Sequence, residues 1–162
     1  MQLFRRIIIA LTVLAFMCIF PQTVQAMPTR VDVYYCTFDY EGTAVFTTEA
    51  FDVYGDFGVE TLAFIRFANF FENLDHGKIP CVPNGVKLHG VWLAGDELII
   101  SVSRALFDYG GGSGHERLLI SQIVRNAAET KEARFVTVLV DGVAVTSPEG
   151  MRLLRRAIDD NL

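Results

Sequence analysis

The sequence has no long run of basic residues, no repeat of solenoid period and no low-complexity segment. Its 19 Asp and Glu outnumber its 14 Lys and Arg. An acidic chain without a basic stripe lacks the footprint that nucleic acid or an anionic lipid surface demands. Histidines and cysteines number three each and show no C-x-x-C or H-E-x-x-H spacing. A metal site needs such ligands brought close by the chain, so neither metal nor cofactor is expected. One long apolar run exists, Ile7 to Phe20, and it falls short of the roughly 20 residues a membrane span requires.

That run begins what the chain does contain. Arg5 and Arg6 precede it, Pro21 breaks it, and Val24-Gln25-Ala26 offers small residues at a cleavage site. A charged start, a short apolar segment and a small-residue exit make residues 1–26 a secretory signal peptide, with cleavage expected after Ala26. The alternative is an uncleaved anchor, which would hold the protein at a membrane. Lipidation at Cys18 is disfavoured because Phe16 and Met17 stand where small residues are needed. Removing the leader with its two arginines leaves residues 27–162, enough for one domain with a core of its own. Two cysteines survive, Cys36 and Cys81. Outside the cytoplasm they could close a disulfide, or they could be two buried thiols packed as small apolar groups.

The remainder alternates strand and helix patterns. Val31 to Phe38 is rich in β-branched and aromatic residues, and after a Glu41-Gly42 turn a second strand is expected over Val45 to Val53. From Val59 to Leu74 apolar residues recur every three or four positions, and four phenylalanines, Phe64, Phe67, Phe70 and Phe71, widen the apolar face. Val86–Leu93 and Glu97–Val102 flank Ala94-Gly95-Asp96 as a hairpin, with Leu98, Ile100 and Val102 on one side. His115 to Thr130 reads as a second helix, and Arg134 to Val140 as a central strand with Thr137 its only polar residue after Arg134. Val143 to Val145 is expected to pair back after the Asp141-Gly142 turn. Ser147-Pro148-Glu149 has the form of a helix start, so a short terminal helix is expected, with Met151, Leu154 and Ile158 on one face. The fold class is α/β of the α+β type: a small mixed sheet, two helices on one face and a C-terminal helix.

Phe107 to Val124 carries the near-misses of catalysis. Gly110, Gly111, Gly112 and Gly114 fail the G-x-G-x-x-G spacing at His115, and no lysine follows to meet a phosphate. Gly111-Gly112-Ser113-Gly114-His115 likewise misses the last glycine of a nucleophile elbow. A hydrolase would pair Ser113 or His115 with Asp108 or Glu116. The competing reading makes Ser113 an N-cap, with Glu116 closing a capping box. A ligand site built from Tyr34, Tyr35, Phe64, Phe67 and Trp92 is the third possibility.

The order of Pro83-Asn84-Gly85-Val86, the hairpin, Val102-Ser103, the glycine-rich loop, Glu116-Arg117-Leu118, Ile123-Val124 and Phe135–Gly142 resembles the GerMN domain of sporulation and spore-germination proteins. The resemblance spans about Val31 to Gly150. It implies an extracytoplasmic α/β domain without known catalysis, similar to the ring-building motif of envelope secretion machines, which act by protein association. The lipoprotein cysteine common in such proteins is missing, and one copy stands where some relatives carry two. The expected partners are other envelope proteins or further copies of the chain. Arg152, Arg155 and Arg156 are the candidate contact surface on the terminal helix, unless they are merely a solvated face.

Overall fold

The computed structural model describes residues 27–39, 41–72, 79–110 and 112–158. The leader and its cleavage site, His76 and Gly111 lie outside the described residues. Eight strands and two α-helices are described: β1 Pro28–Phe38, β2 Ala44–Tyr54, α1 Val59–Glu72, β3 Ile79–Pro80, β4 Leu88–Ala94, β5 Glu97–Val102, α2 Gly112–Ala128, β6 Phe135–Val140, β7 Val143–Ala144 and β8 Arg156–Ala157. A 3-10 turn, Arg104–Phe107, leads from β5 towards α2.

The strands form two sheets where the sequence suggested one. The first is antiparallel in the order β2-β1-β3, and β1 and β2 pair without a bulge from Pro28↔Tyr54 to Phe38↔Ala44. β1 begins at Pro28, three residues before the strand read from Val31. The second sheet is mixed: β4 and β5 make the Gly95 hairpin, β5 runs parallel to β6, and β7 and β8 return antiparallel on β6. Parallel neighbours require a long crossover, and α2 supplies it. The mixed α+β class stands.

One apolar core joins the sheets. Leu98, Ile100 and Val102 of β5 are fully buried, as the alternation of that strand demands. From α1 come Phe67, Phe70 and Phe71, whose rings meet at 4.9–6.3 Å, while Phe64 turns outward at 41 % exposure. α1 packs on both β1 and β4, and α2 lies against β1.

The terminal helix does not form. The Ser147 amide donates to the Met151 carbonyl, the Met151 amide donates to the Ser147 hydroxyl, Gly150 donates to the Ser147 carbonyl, and Gly150 takes φ +88° to close the turn. Beyond it, the Leu153 carbonyl accepts from Val138, Ile158 donates to Arg134, and β8 pairs with Phe135 and Val136. The cause is β6: its second edge is left bare by the short β7, and buried backbone groups need partners. Covering that edge outweighs the weak helical preference of the segment, and Leu153 is fully buried as a result.

Candidate functional site

Three places bear on function: the start of α2, the cysteine pair, and the β1–β2 hairpin with the groove beside it.

α2 begins at Gly112, earlier than the capping-box reading placed it, so Ser113 is already an exposed first-turn residue. Gly110 and Gly112 both sit at φ +64°, which explains why glycine occupies these positions. Glu116 points inward and is 1 % exposed. Its carboxylate accepts hydrogen bonds from the hydroxyls of Ser147 and Tyr109 and from the Glu149 amide at 3.1 Å. Burial by itself would push the Glu116 carboxyl up. The bonds from Ser147, Tyr109 and the amides of Glu149 and Met151 outweigh it and hold the group below the ordinary carboxylate value. Tyr109 shifts the other way, raised first by burial and then by its bond to Glu116.

His115 is held between aromatic rings, stacked on Tyr109 at 5.6 Å and tilted to Phe38 at 5.2 Å, and its Nε2 lies 2.6 Å from the Cys81 carbonyl. Ser113 and His115 are two apart on a helix and do not face each other. The nearby carboxylate is occupied by Tyr109 and Ser147. The arrangement fastens the last loop to α2 and does not pair Ser113 with His115 or Glu116 as nucleophile and base. No group of three metal-ligating side chains occurs among them either.

Cys36 and Cys81 stand opposite each other where β3 leaves β1, and the Cys81 amide donates to the Cys36 carbonyl at 3.0 Å. Both are buried thiols in contact. The bond from the Cys81 thiol favours the Cys36 thiolate and lowers Cys36, whereas that shared bond and then burial raise Cys81.

The inner edge of β1 is sealed by side chains. Arg66 of α1 donates to the Asp32 carbonyl at 2.9 Å. Asn126 of α2 accepts from the Tyr34 amide at 3.0 Å and donates to the Tyr34 carbonyl at 2.8 Å, as a neighbouring strand would. Cys81 takes the next position along. Sequence reasoning missed Glu116, Gln122 and Asn126 as interior residues, although they fall on the stripe of Leu119, Ile123 and Ala127. A polar residue on an apolar stripe was the available signal.

Because the even-numbered residues of β1 turn to this inner edge, its odd-numbered residues bond β2, and the register pairs them with odd residues there. The even residues of β2 therefore point amides and carbonyls outward. Among the described residues no strand lies beside that edge, and Phe46, Thr48, Ala50, Asp52 and Tyr54 are exposed along it. A groove of about 390 Å³ borders it, lined by Tyr34, Phe46 and Thr48 from the sheet and by Ser121, Gln122 and Arg125 from α2. The Arg125 guanidinium lies 4.4 Å from the centre of the Tyr34 ring, and the Tyr34 hydroxyl donates to Glu129 at 2.8 Å.

The other expected residues disperse. Tyr35, though buried, borders the groove with Tyr34, whereas Phe67 is core and Phe64 and Trp92 lie half exposed, so only two of the aromatic set share a pocket. Arg155 is engaged within the fold: its guanidinium pairs with Glu97 at 3.2 Å and covers the Phe135 ring at 3.9 Å. Arg156 donates to the Arg152 carbonyl at 3.2 Å. These two stay together, but on an irregular segment and β8 rather than on a helix. No helix among the described residues is long and apolar enough to cross a membrane.

No curated protein matches this sequence. Solved structures do. A crystal structure from Clostridium perfringens of a protein assigned as a lipoprotein is 16% identical, with TM-score 0.55, covering 86% of this chain and 92% of that one. The tandem GerMN domains of the sporulation protein GerM from Bacillus subtilis are 14% identical, with TM-score 0.59, covering 85% of this chain and 48% of theirs. The first of those domains alone gives 14% identity and TM-score 0.58, covering 82% of this chain and 99% of that domain. At such identities the likeness is one of fold. The family model described as sporulation and spore germination, Germane, matches residues 58–146, from the entry to α1 to just beyond β7. With more than half of its length so matched and a fold shared with GerMN domains, the chain belongs to the Germane family.

Proposed function

We propose that this is an exported envelope protein whose GerMN domain acts as a non-catalytic interaction module in sporulation, germination or envelope assembly. The observation that carries the reading is the long outer edge of β2, regular in register, exposed and free of lysine and proline, with Asp52 the one charge among its outward-bonding residues. Folded proteins usually blunt such an edge with charge, proline, a bulge or a covering element. The leader pattern of residues 1–26 and the lipoprotein assignment of the Clostridium perfringens structure support export. The family membership supports the sporulation and germination context.

The hydrolase reading loses its constellation, since Glu116 is committed to Tyr109 and Ser147 and Ser113 has no base facing it. In-cell cross-linking of the full chain through photoreactive residues at Phe46 and Tyr54 tests the proposal. Adducts with an envelope protein or with a second copy are expected. A chain that stays monomeric and captures no envelope protein refutes it.

A further inference from the structure

The edges of the two sheets are treated very differently. β1 is sealed by Arg66, Asn126 and Cys81. On β4 the Leu93 amide is taken by the Glu60 carboxylate at 2.8 Å, and a register shift interrupts the strand between Leu88 and Gly90. β6 is covered by β7 and β8. Among the described residues β2 alone offers a long regular edge with no such device, and the hairpin carrying it precedes the segment that the family model matches.

The sequence of that edge is self-complementary. In Phe46-Thr47-Thr48-Glu49-Ala50-Phe51-Asp52-Val53-Tyr54 the outward-bonding positions are Phe46, Thr48, Ala50, Asp52 and Tyr54. They are symmetric about Ala50 in size and in polarity: an aromatic at each end, a small polar residue next, and a methyl at the centre. An antiparallel partner strand of the same sequence, with Ala50 on Ala50, places Phe46 opposite Tyr54 and Thr48 opposite Asp52. Shifting the axis to Glu49 sets two carboxylates face to face, and shifting it to Asp52 does the same. Like charges directly opposite are destabilising, whereas aromatic pairs are favourable. The Ala50 register avoids the first and makes the second twice.

The groove adds a seat for the ends. Phe46, Tyr34 and Thr48 share one face of the sheet, so Tyr54 of the second copy stands on that same face beside Phe46. There it meets the aromatic and guanidinium lining supplied by Tyr34 and Arg125. A Tyr edge on such a surface is favourable packing, with its hydroxyl left to the wet rim.

We propose that a second copy of this chain occupies the β2 edge, pairing β2 with β2 antiparallel about Ala50 so that the two hairpins form one continuous sheet. The inference rests on the interaction-module reading and names its partner. Strand pairing alone is a small interface, so association is concentration-dependent.

The test uses the full chain in cells with single cysteine replacements and a mild oxidant. Cys36 and Cys81 are buried and contribute little background. Ala50→Cys is expected to give a covalent dimer of twice the chain mass, and the exposed Lys131→Cys to give none. Phe46→Cys mixed with Tyr54→Cys should cross-link more than either variant alone. Ala50→Lys, which places two ammonium groups on the axis, should abolish association while leaving the circular dichroism of the chain unchanged. Equal cross-linking at Ala50 and Lys131, or dimers indifferent to Ala50→Lys, overturns the proposal. An Ala50→Cys adduct with a different envelope protein overturns the homodimer but leaves the module reading standing; no adduct of either kind removes both.

Discussion

Asn126→Ala is the sharpest perturbation of the architecture. Asn126 is fully buried and its amide makes three bonds, two to the backbone of Tyr34 and one to the Gln122 carbonyl at 2.9 Å. Alanine leaves the Tyr34 amide and carbonyl without partners, each at about 1–3 kcal/mol, and opens a small void. The Gln122 carbonyl keeps its helical bond, so it adds little. Allowing for partial relaxation, the loss is about 3–4 kcal/mol, a large share of the 5–15 kcal/mol typical of a domain. Urea unfolding followed by far-ultraviolet circular dichroism and by Trp92 fluorescence measures it, with an unchanged m-value confirming that the same transition is compared. Asn126→Asp adds a signature. It keeps the acceptor for the Tyr34 amide but sets carboxylate oxygen against two carbonyls, so its neutral form is preferred in the fold and its folded pKa is raised. Its deficit relative to the parent should therefore shrink as pH falls and the acid regains a donor. A loss under about 1 kcal/mol for Asn126→Ala, or a pH-independent deficit for Asn126→Asp, would refute the sealed-edge account.

Three other perturbations follow from the same structure. Glu116 titrates below its ordinary value in the fold, so it contributes stability above the unfolded carboxylate pKa that is lost as pH falls through the folded one; Glu116→Gln should lower the Tm at pH 7 and flatten the acid side of the stability curve, and an unchanged slope would contradict this. Leu153→Ala should cost about 2–5 kcal/mol because the side chain is fully buried, whereas Leu154→Ala, half-buried, should cost far less; the reverse order in thermal melts would restore the terminal helix. Cys36 and Cys81 are opposed across paired strands, where Cα separations of about 5.5 Å suit a bridge. Oxidation of the two thiols by excess oxidised glutathione, which is reduced to two thiols as the bridge forms, should therefore raise the unfolding free energy by about 4 kcal/mol, for a loop of the length they enclose. Mass spectrometry before and after reduction, with melts of both forms, checks it; a bridge that forms without raising the Tm would show that β3 is already fixed by other contacts.

Much of the fold was legible because it depends on local period. The three- and four-residue spacing from Val59 marked α1, and alternation around Ala94-Gly95-Asp96 marked the β4–β5 hairpin. The near-continuous apolar run of β6 announced a strand inside its sheet. The motif order was enough to suggest the family that the comparison then supplied.

What failed in the sequence reading shares one cause. Ser113 with Glu116 satisfies the capping-box spacing, yet Glu116 turns to Ser147, 31 residues on, because a buried carboxylate goes where hydroxyls are available. Ser147-Pro148-Glu149 has the form of a helix start, yet the segment pairs with β6, whose bare edge no local pattern announces. Arg155 reads as a surface charge and becomes a cover for Phe135. The glycine loop lies between Tyr109 and the Glu116 to which it bonds, so deleting two of its glycines is expected to destabilise the fold. Sequence by itself determined the long helices and strands, α1, α2, β1, β2, β4, β5 and β6, since periodicity is a property of adjacent residues. Only the tertiary structure decided which polar groups are interior, which sheet edges are closed and which one is left open, because a donor's partner is set by whatever the rest of the chain brings beside it.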